Sequence, residues 1–188
     1  MLGLEFKFKG TFLISTKKFI ENEFGSEYSK QMWPKYYQES TILASSWYPA
    51  KPIIDILKDS ANEKKISHRD LVLKHSQYVL DADLNGVYKF FIKLGGIKRV
   101  LNALPQLNKS YCNWNEIEII KNDDGCFIAD VTVPKNFEFF YLVGAEGGIG
   151  TVIKLCGKSL TSFELISKSD SVGGNPDLTK LNYELKYN

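Results

Sequence analysis

At 188 residues, with 44% apolar and 13% aromatic side chains and 24% charged ones spread along its length, the chain has the composition of a folded domain with a sizeable core. Its 24 basic and 22 acidic residues interleave to a net charge of +2, which leaves no field strong enough to recruit nucleic acid or an anionic membrane surface. No run approaches the roughly 20 apolar residues that span a bilayer, and Glu5, Lys7 and Lys9 interrupt the opening segment where a secretory leader would be continuously apolar. The cytoplasm is the expected location. Cys112, Cys126 and Cys156 are odd in number and without CxxC spacing, so they read as free thiols rather than a disulfide framework or a zinc site.

In chain order, Leu4, Phe6 and Phe8 alternate with charged residues and predict a strand over 4–9 that closes at Gly10. Phe12, Phe19, Ile20 and Phe24 fit helical spacing from Thr11 to Phe24, with Gly25 past the end, and a short helix from Glu27 to Trp33 is expected to stop before Pro34. Pro52 suits the first turn of a helix whose Ile53, Ile54, Ile56 and Leu57 form one buried stripe. Ser67, followed by Asp70, caps another helix running to about Leu80.

The stretch Leu84 to Leu107 places two amphipathic helical patterns across Gly95-Gly96, the first on Leu84, Val87, Phe90, Phe91 and Leu94, the second on Ile97, Val100, Leu101 and Leu104. Pro105 ends or kinks the second. Beyond Tyr111 the period shortens. Glu116 to Ile119 and Phe127 to Val133 alternate around Asn122-Asp123-Asp124-Gly125, the chemistry of a hairpin turn. Phe137 to Cys156 reads as a helix, Ser162 to Ile166 and Leu181 to Tyr187 as strands, and the polar stretch between them as a mobile loop. The fold class is α+β: an N-terminal helical half, about 11–110, then an antiparallel sheet with a covering helix, about 114–188 plus the strand at 4–9, in one domain over 1–188.

Catalytic signatures are missing from this pattern. His68 and His75 lie two turns apart on one helix, about 10 Å in rise, too far to share a metal without other ligands; both read as surface or ordinary core residues, His68 as solvent-facing. Gly144, Gly147, Gly148 and Gly150 match neither a P-loop nor GxGxxG; Gly144, Gly148 and Thr151 instead fall along one helical face suited to close packing against the sheet, with a flexible ligand-adjacent segment as the alternative. No nucleophile, base and acid assemble, no metal site is signalled, and no cofactor is called for. Aromatic residues crowd the helical half, where Trp and Tyr can wall a small-molecule cavity as readily as a core.

Gly10-Thr11 with Phe19 and Phe24-Gly25, Trp47-Tyr48-Pro49 before a helix, Gly86-Val87-Tyr88 leading into the apolar helix, Leu104-Pro105 followed by Tyr111, and the alternation from Leu181 to Tyr187 together carry a resemblance. Over nearly its whole length the chain resembles the superfamily that unites haem-nitric-oxide/oxygen-binding (H-NOX) sensor domains, vinyl-4-reductase-like domains and TRAPP transport subunits. It is most similar to a stand-alone bacterial family of this length. The haem sensors carry an iron-binding histidine on the helix near Val87 to Phe91 and a Tyr-x-Ser-x-Arg clamp. This chain has no histidine there and reads Cys112-Asn113-Trp114-Asn115 after Tyr111. The cysteine-rich metal site of the vinyl-4-reductase-like domains is missing as well.

The resemblance thus implies a haem-less, non-enzymatic sensory or ligand-binding domain. The expected cavity for a small apolar molecule is walled by Tyr48, Tyr88, Phe91, Leu94 and Trp114. The alternative is an interaction module with a solid core that forms a homodimer or docks on a signalling partner.

Overall fold

Helices gather at the N-terminal end of the chain and a four-stranded antiparallel sheet at the other, in a computed structural model that describes residues 5–38, 41–83 and 89–188, the side chains of 83–95 excepted. The first strand, β1 (Lys7–Lys9), leads directly into α1 (Gly10–Phe24). No side chain caps α1. Its first amides are satisfied instead by the backbone, Gly10 N–H donating to Ser46 O at 2.8 Å and Thr11 N–H to Ala44 O at 3.2 Å. A side chain at residue 10 would collide with this arrangement, since a Cβ there would sit 2.0 Å from Leu43 O.

The next helix, α2 (Ser26–Tyr36), continues past Pro34 rather than stopping before it. The proline removes one amide within the final turn, and Tyr37 N–H still closes that turn on Trp33 O at 3.0 Å while the Trp33 and Tyr37 rings stack 5.1 Å apart. The strand β2 (Trp47–Pro49) pairs antiparallel with β1. The expected assignment of the first strand to the main sheet is therefore corrected: its partner is β2, and the two form a separate ribbon within the helical half.

Pro52 sits in the first turn of α3 (Lys51–Lys64), and Ser67 Oγ accepts the Asp70 amide at 3.2 Å at the start of α4 (His68–Asp83), as the sequence predicts for both. Leu84 to Tyr88 fall outside the described residues. From Lys89 the chain forms α5 (Lys89–Asn102), broken at Gly96, whose φ of 65° and ψ of 166° interrupt the helix where the double glycine predicts a break. Pro105 does not end the helical run. It opens a short new helix, α6 (Leu104–Tyr111), none of whose residues is fully buried.

The sheet runs in the order β3-β4-β6-β5, with β3 (Glu116–Asp123) and β4 (Cys126–Pro134) joined at Gly125 as the turn chemistry predicts. A 3-10 turn, Lys135–Phe137, leads into α7 (Glu138–Leu155). The last two strands, β5 (Leu160–Val172) and β6 (Asn175–Tyr187), are much longer than expected. The supposed polar loop between them is paired β-ribbon, from Ser167 opposite Asn182 to Val172 opposite Asn175, closed by Gly173 and Gly174 at positive φ. It projects beyond the core, so it needs no apolar face and its sequence shows no alternation. One hydrophobic cluster joins both halves, from Leu13, Ile53 and Leu57 on the helices to Phe127, Val131, Leu181 and Leu185 on the sheet.

Candidate functional site

Packing of α7 sets up the site. Gly147 and Gly148 let this helix approach α4 closely: a Cβ at Gly147 would lie 2.2 Å from Ser76 Oγ and 2.8 Å from Leu73 O, and one at Gly148 3.4 Å from Leu80. Gly147 and Gly148 therefore pack on a helix, where packing on the sheet was expected, while a Cβ at Gly150 would lie 3.4 Å from Leu160 of β5. Gly144, one turn earlier, has nothing within 4 Å of its missing Cβ. It lines a cavity of about 160 Å³, partly open to solvent, at the junction of the two halves.

Phe8 and Phe12 form one wall, stacked with centroids 4.3 Å apart, and Trp114 and Phe140 stand edge-on to Phe8 at 5.5 and 5.9 Å. Leu104, Leu107 and Asn108 of α6 close a second side. Tyr141, Ala145 and Ile149 of α7 and Tyr183 of β6 complete the enclosure. Among the described residues, no Asp, Glu, Lys or Arg lines it. The volume is close to that of an engineered apolar cavity of about 150 Å³ that takes up benzene or xenon, and below the roughly 300–1,000 Å³ of drug-sized sites.

His75 belongs to this wall and is fully buried, with Phe19, Phe12 and Phe140 around its ring at 5.3 to 6.2 Å. Burial holds its pKa at about 3, well below the ordinary 6.5, so the imidazole is neutral. Its Nε2 lies 2.9 Å from Thr16 Oγ1, which is itself 2.8 Å from Phe12 O. The one Thr16 proton goes to the Phe12 carbonyl, so Thr16 accepts from His75 Nε2–H and the network assigns the lone pair to Nδ1. That Nδ1 is buried with no hydrogen-bond partner. Trp114 Nε1, a donor, is orphaned in the same wall, and the Tyr183 hydroxyl, electrostatically coupled to Tyr141, makes no hydrogen bond of ordinary geometry.

Beside them Cys112 Sγ lies 3.3 Å from Asn115 Oδ1, in a cluster where Asn115 Nδ2 donates to Asn108 Oδ1 at 3.3 Å. Burial pushes the Cys112 thiol up to about 12, and the Tyr141 and Tyr183 phenols are raised for the same reason, Tyr183 to about 12. Burial thus holds His75, Cys112, Tyr141 and Tyr183 in their neutral forms at pH 7.

Of the residues expected to wall a cavity, Trp114 does so. Tyr48 does not: it is buried beside the start of α1, where its hydroxyl accepts the Leu43 amide at 2.8 Å. Tyr88 lies outside the described residues, as do the side chains of Phe91 and Leu94. Sequence reasoning missed His75, Phe8, Phe12, Tyr141 and Tyr183. A signal for His75 existed, because Leu71, Val72, His75 and Val79 fall on one helical stripe and all are buried. His68, expected to face solvent, is half-buried: its ring stacks 4.8 Å from Phe139, away from this cavity.

A haem, which the resemblance to the sensor domains brings into question, does not fit these residues. The space suits one ring rather than a tetrapyrrole, and among the described residues no cation lines it to meet propionates. His75, the sole imidazole in the wall, has Nε2 committed to Thr16, and burial opposes the thiolate or phenolate that Cys112 or a tyrosine would need as a ligand. Among the described residues no group of three or more His, Cys, Asp or Glu could hold a metal ion, and no helix is long and apolar enough to cross a membrane.

No family model matches the chain and no curated protein is detectably similar to it. Solved structures are. A point variant of the Fe(II) unliganded H-NOX protein from K. algicida aligns with a TM-score of 0.71 at 13% identity, covering 96% of each chain. A Cs H-NOX variant carrying an unnatural amino acid gives 0.72 at 11% identity over 95% of this chain and 96% of the other. An oxygen-binding H-NOX domain related to soluble guanylate cyclases, in its oxygen complex, gives 0.69 at 10% identity over 95% and 94%. At these identities the likeness is one of architecture, and it extends end to end: the chain has a divergent H-NOX-like fold.

Proposed function

We propose that the chain is a haem-less, non-catalytic ligand-binding or sensory domain that takes up a small apolar molecule between its helical half and its sheet. The observation that carries this reading is the aromatic-walled cavity of about 160 Å³ at that junction, whose described lining carries no charged side chain. It also favours ligand binding over the assembly-module alternative, which expects a solid core there. Binding would be registered through α6, an eight-residue helix with no fully buried residue that forms one side of the cavity. Pro105 separates α6 from α5, and the Asn108–Asn115 amide pair is the tie about which α6 would tilt.

The test is a thermal-stability titration with benzene and toluene, with Gly144→Phe as the blocked control. Gly144 has open space in front of it, so the introduced ring occupies the cavity. Dose-dependent stabilisation of the wild type that Gly144→Phe abolishes supports the reading; a wild type unmoved at the solubility limit of both hydrocarbons overturns it. Hemin added in parallel is expected to give no protein-bound Soret band.

A further inference from the structure

We propose a second ligand site, separate from the interior cavity: the surface cleft between α3 and the start of α7 takes a small monocarboxylate with an apolar body, its carboxylate seated between Lys58 and His68. The cleft measures about 350 Å³, larger than the interior cavity and within the size range of ordinary small-molecule sites. Lys51, Ile54, Asp55 and Lys58 recur at helical spacing and bring one face of α3 to it, while His68 opens α4 and Phe139 lies in the first turn of α7. Phe139 is 44% exposed and Ile54 half-buried, so the cleft keeps apolar surface against water.

The polar groups of the cleft are incompletely matched. Other cations around this end of α7 have their carboxylates: Lys135 has Asp170 at 3.7 Å, Lys168 has Glu138 at 2.6 Å and Arg69 has Glu146 at 2.6 Å. Within the cleft Lys51 is paired with Asp55. Lys58 has no carboxylate partner among the described residues, and His68 Nε2 is buried with no hydrogen-bond partner. Buried polar groups in folded proteins are almost always paired, so an orphan on the wall of a cleft indicates a missing partner. The His68 ring stacks on Phe139 through one face; a half-turn about χ2 preserves that stack and exchanges the ring edges, so Nε2 is not locked in its shielded position.

Charge fixes the ligand class. Asp55 neutralises Lys51, and burial together with Lys58 lowers the His68 pKa and keeps its ring neutral, so the described wall carries one unmatched positive charge. A carboxylate brings one negative charge and two acceptor oxygens, one for the Lys58 ammonium and one for His68 Nε2–H. A phosphate dianion would exceed that charge and meet Asp55, and a neutral ring would leave both donors unpaired. No side chain caps α7, whose first turn adds the positive end of its dipole at the cleft, and Glu138 in that turn is already committed to Lys168.

Amide-resolved NMR titration with phenylacetate, its neutral isostere phenylacetamide and inorganic phosphate tests the assignment. Phenylacetate is expected to give saturable shifts at 51–58, His68 and 136–140, with the amide and phosphate each binding about tenfold more weakly or worse. Lys58→Met keeps the aliphatic stem and His68→Phe keeps the stacked ring, and each should weaken phenylacetate about tenfold while leaving the amide unchanged. A bound anion favours the imidazolium, so the His68 pKa, read from its ring C–H shifts, should rise when phenylacetate is present. If His68→Phe does not fold, Lys58→Met and the acid–amide comparison decide. Equal binding of acid and amide, full affinity in Lys58→Met, shifts centred on Gly144 and Tyr183 of the interior cavity, or no saturable shift up to about 10 mM would each overturn the proposal. None of these results bears on hydrocarbon uptake by the interior cavity, so the two readings fail separately.

Discussion

Replacing Gly144 and Gly147 separately by alanine makes the same chemical change three residues apart on α7, yet the two substitutions should move stability in opposite directions. Each removes a helix-interior glycine and so gains about 0.5–1 kcal/mol from reduced unfolded-state entropy and better helix propensity. At Gly144 nothing stands within 4 Å of the new methyl group, so that gain is kept. At Gly147 the methyl group would lie 2.2 Å from Ser76 Oγ and 2.8 Å from Leu73 O, and these two atoms are hydrogen-bonded to each other at 2.9 Å. The hydroxyl could rotate away; the backbone oxygen cannot move unless α4 separates from α7. Overpacking of this kind costs about 1–3 kcal/mol, which exceeds the propensity gain. The two variants should therefore differ by about 1–3 kcal/mol, or several degrees in Tm for a chain of this size. Urea denaturation with m held equal between variants measures it. Gly147→Ala as stable as Gly144→Ala would refute the close approach of α4 and α7, and with it the account of why the cavity exists.

The remaining predictions concern single groups. His75 has a folded pKa of about 3 against 6.5 when unfolded, so below 6.5 the unfolded state binds the extra proton; the stability present at neutral pH is lost as pH falls from 6.5 toward 3. Between pH 7 and pH 5 the loss from this residue should be about 2 kcal/mol, seen as the difference between the pH–stability curves of wild type and His75→Phe. Gly10→Ala, whose Cβ would fall 2.0 Å from Leu43 O, should cost about 3 kcal/mol in denaturant titration, because Ser46 and Ala44 are hydrogen-bonded to the same helix start and the whole 43–46 segment must move. Cys112, buried and with its thiol pushed up to about 12, should resist alkylation at pH 8 in the native protein and react on unfolding, whereas the partly exposed Cys126 and Cys156 label first in a mass-spectrometric time course.

Elements whose cause is local could be read from the sequence. The Ser67 cap, the Pro52 first turn, the Gly125 hairpin and the Gly96 break each depend on one or two residues with restricted or special backbone chemistry, and each occurs where the pattern places it. Elements whose cause is distant could not. Strand β1 alternates correctly, but only the 41–49 segment, folding back onto α1, decides that its partner is Trp47–Pro49. The ribbon from Ser167 to Asp177 shows no alternation because neither face is buried, so pairing is carried by backbone bonds that polar sequence conceals. The site was the hardest part. Trp114 reaches the cavity as expected, but Tyr48 spends its hydroxyl on the Leu43 amide, and His75, flanked by Lys74 and Ser76, looks like a surface residue until the stripe it shares with Leu71, Val72 and Val79 is considered.

The cavity follows from the order of side chains along one helix. Phe140 and Tyr141, Gly144, and Gly147 with Gly148 occupy successive turns of the same face of α7. At the C-terminal end of this run the glycines draw the helix against α4 until backbone and Ser76 are in contact. Two turns toward the N-terminus, the rings of Phe140 and Tyr141 abut Phe8, His75 and Trp114, with centroids 5.9 to 6.4 Å apart, and hold the helix off. A rigid helix pinned close at one end and propped at the other cannot fill the wedge between, and at Gly144, the middle of the wedge, there is no side chain to fill it either. A close-packed interior normally repairs a void of this size by collapse, at a saving that grows with the volume removed. Here collapse is blocked on three sides: by the α4 contact, by the aromatic props, and by the Asn108–Asn115 amide pair that fastens α6 to the start of β3. The void is therefore a built feature of α7, and substitutions along that face, rather than at the wall as a whole, should govern what the cavity admits.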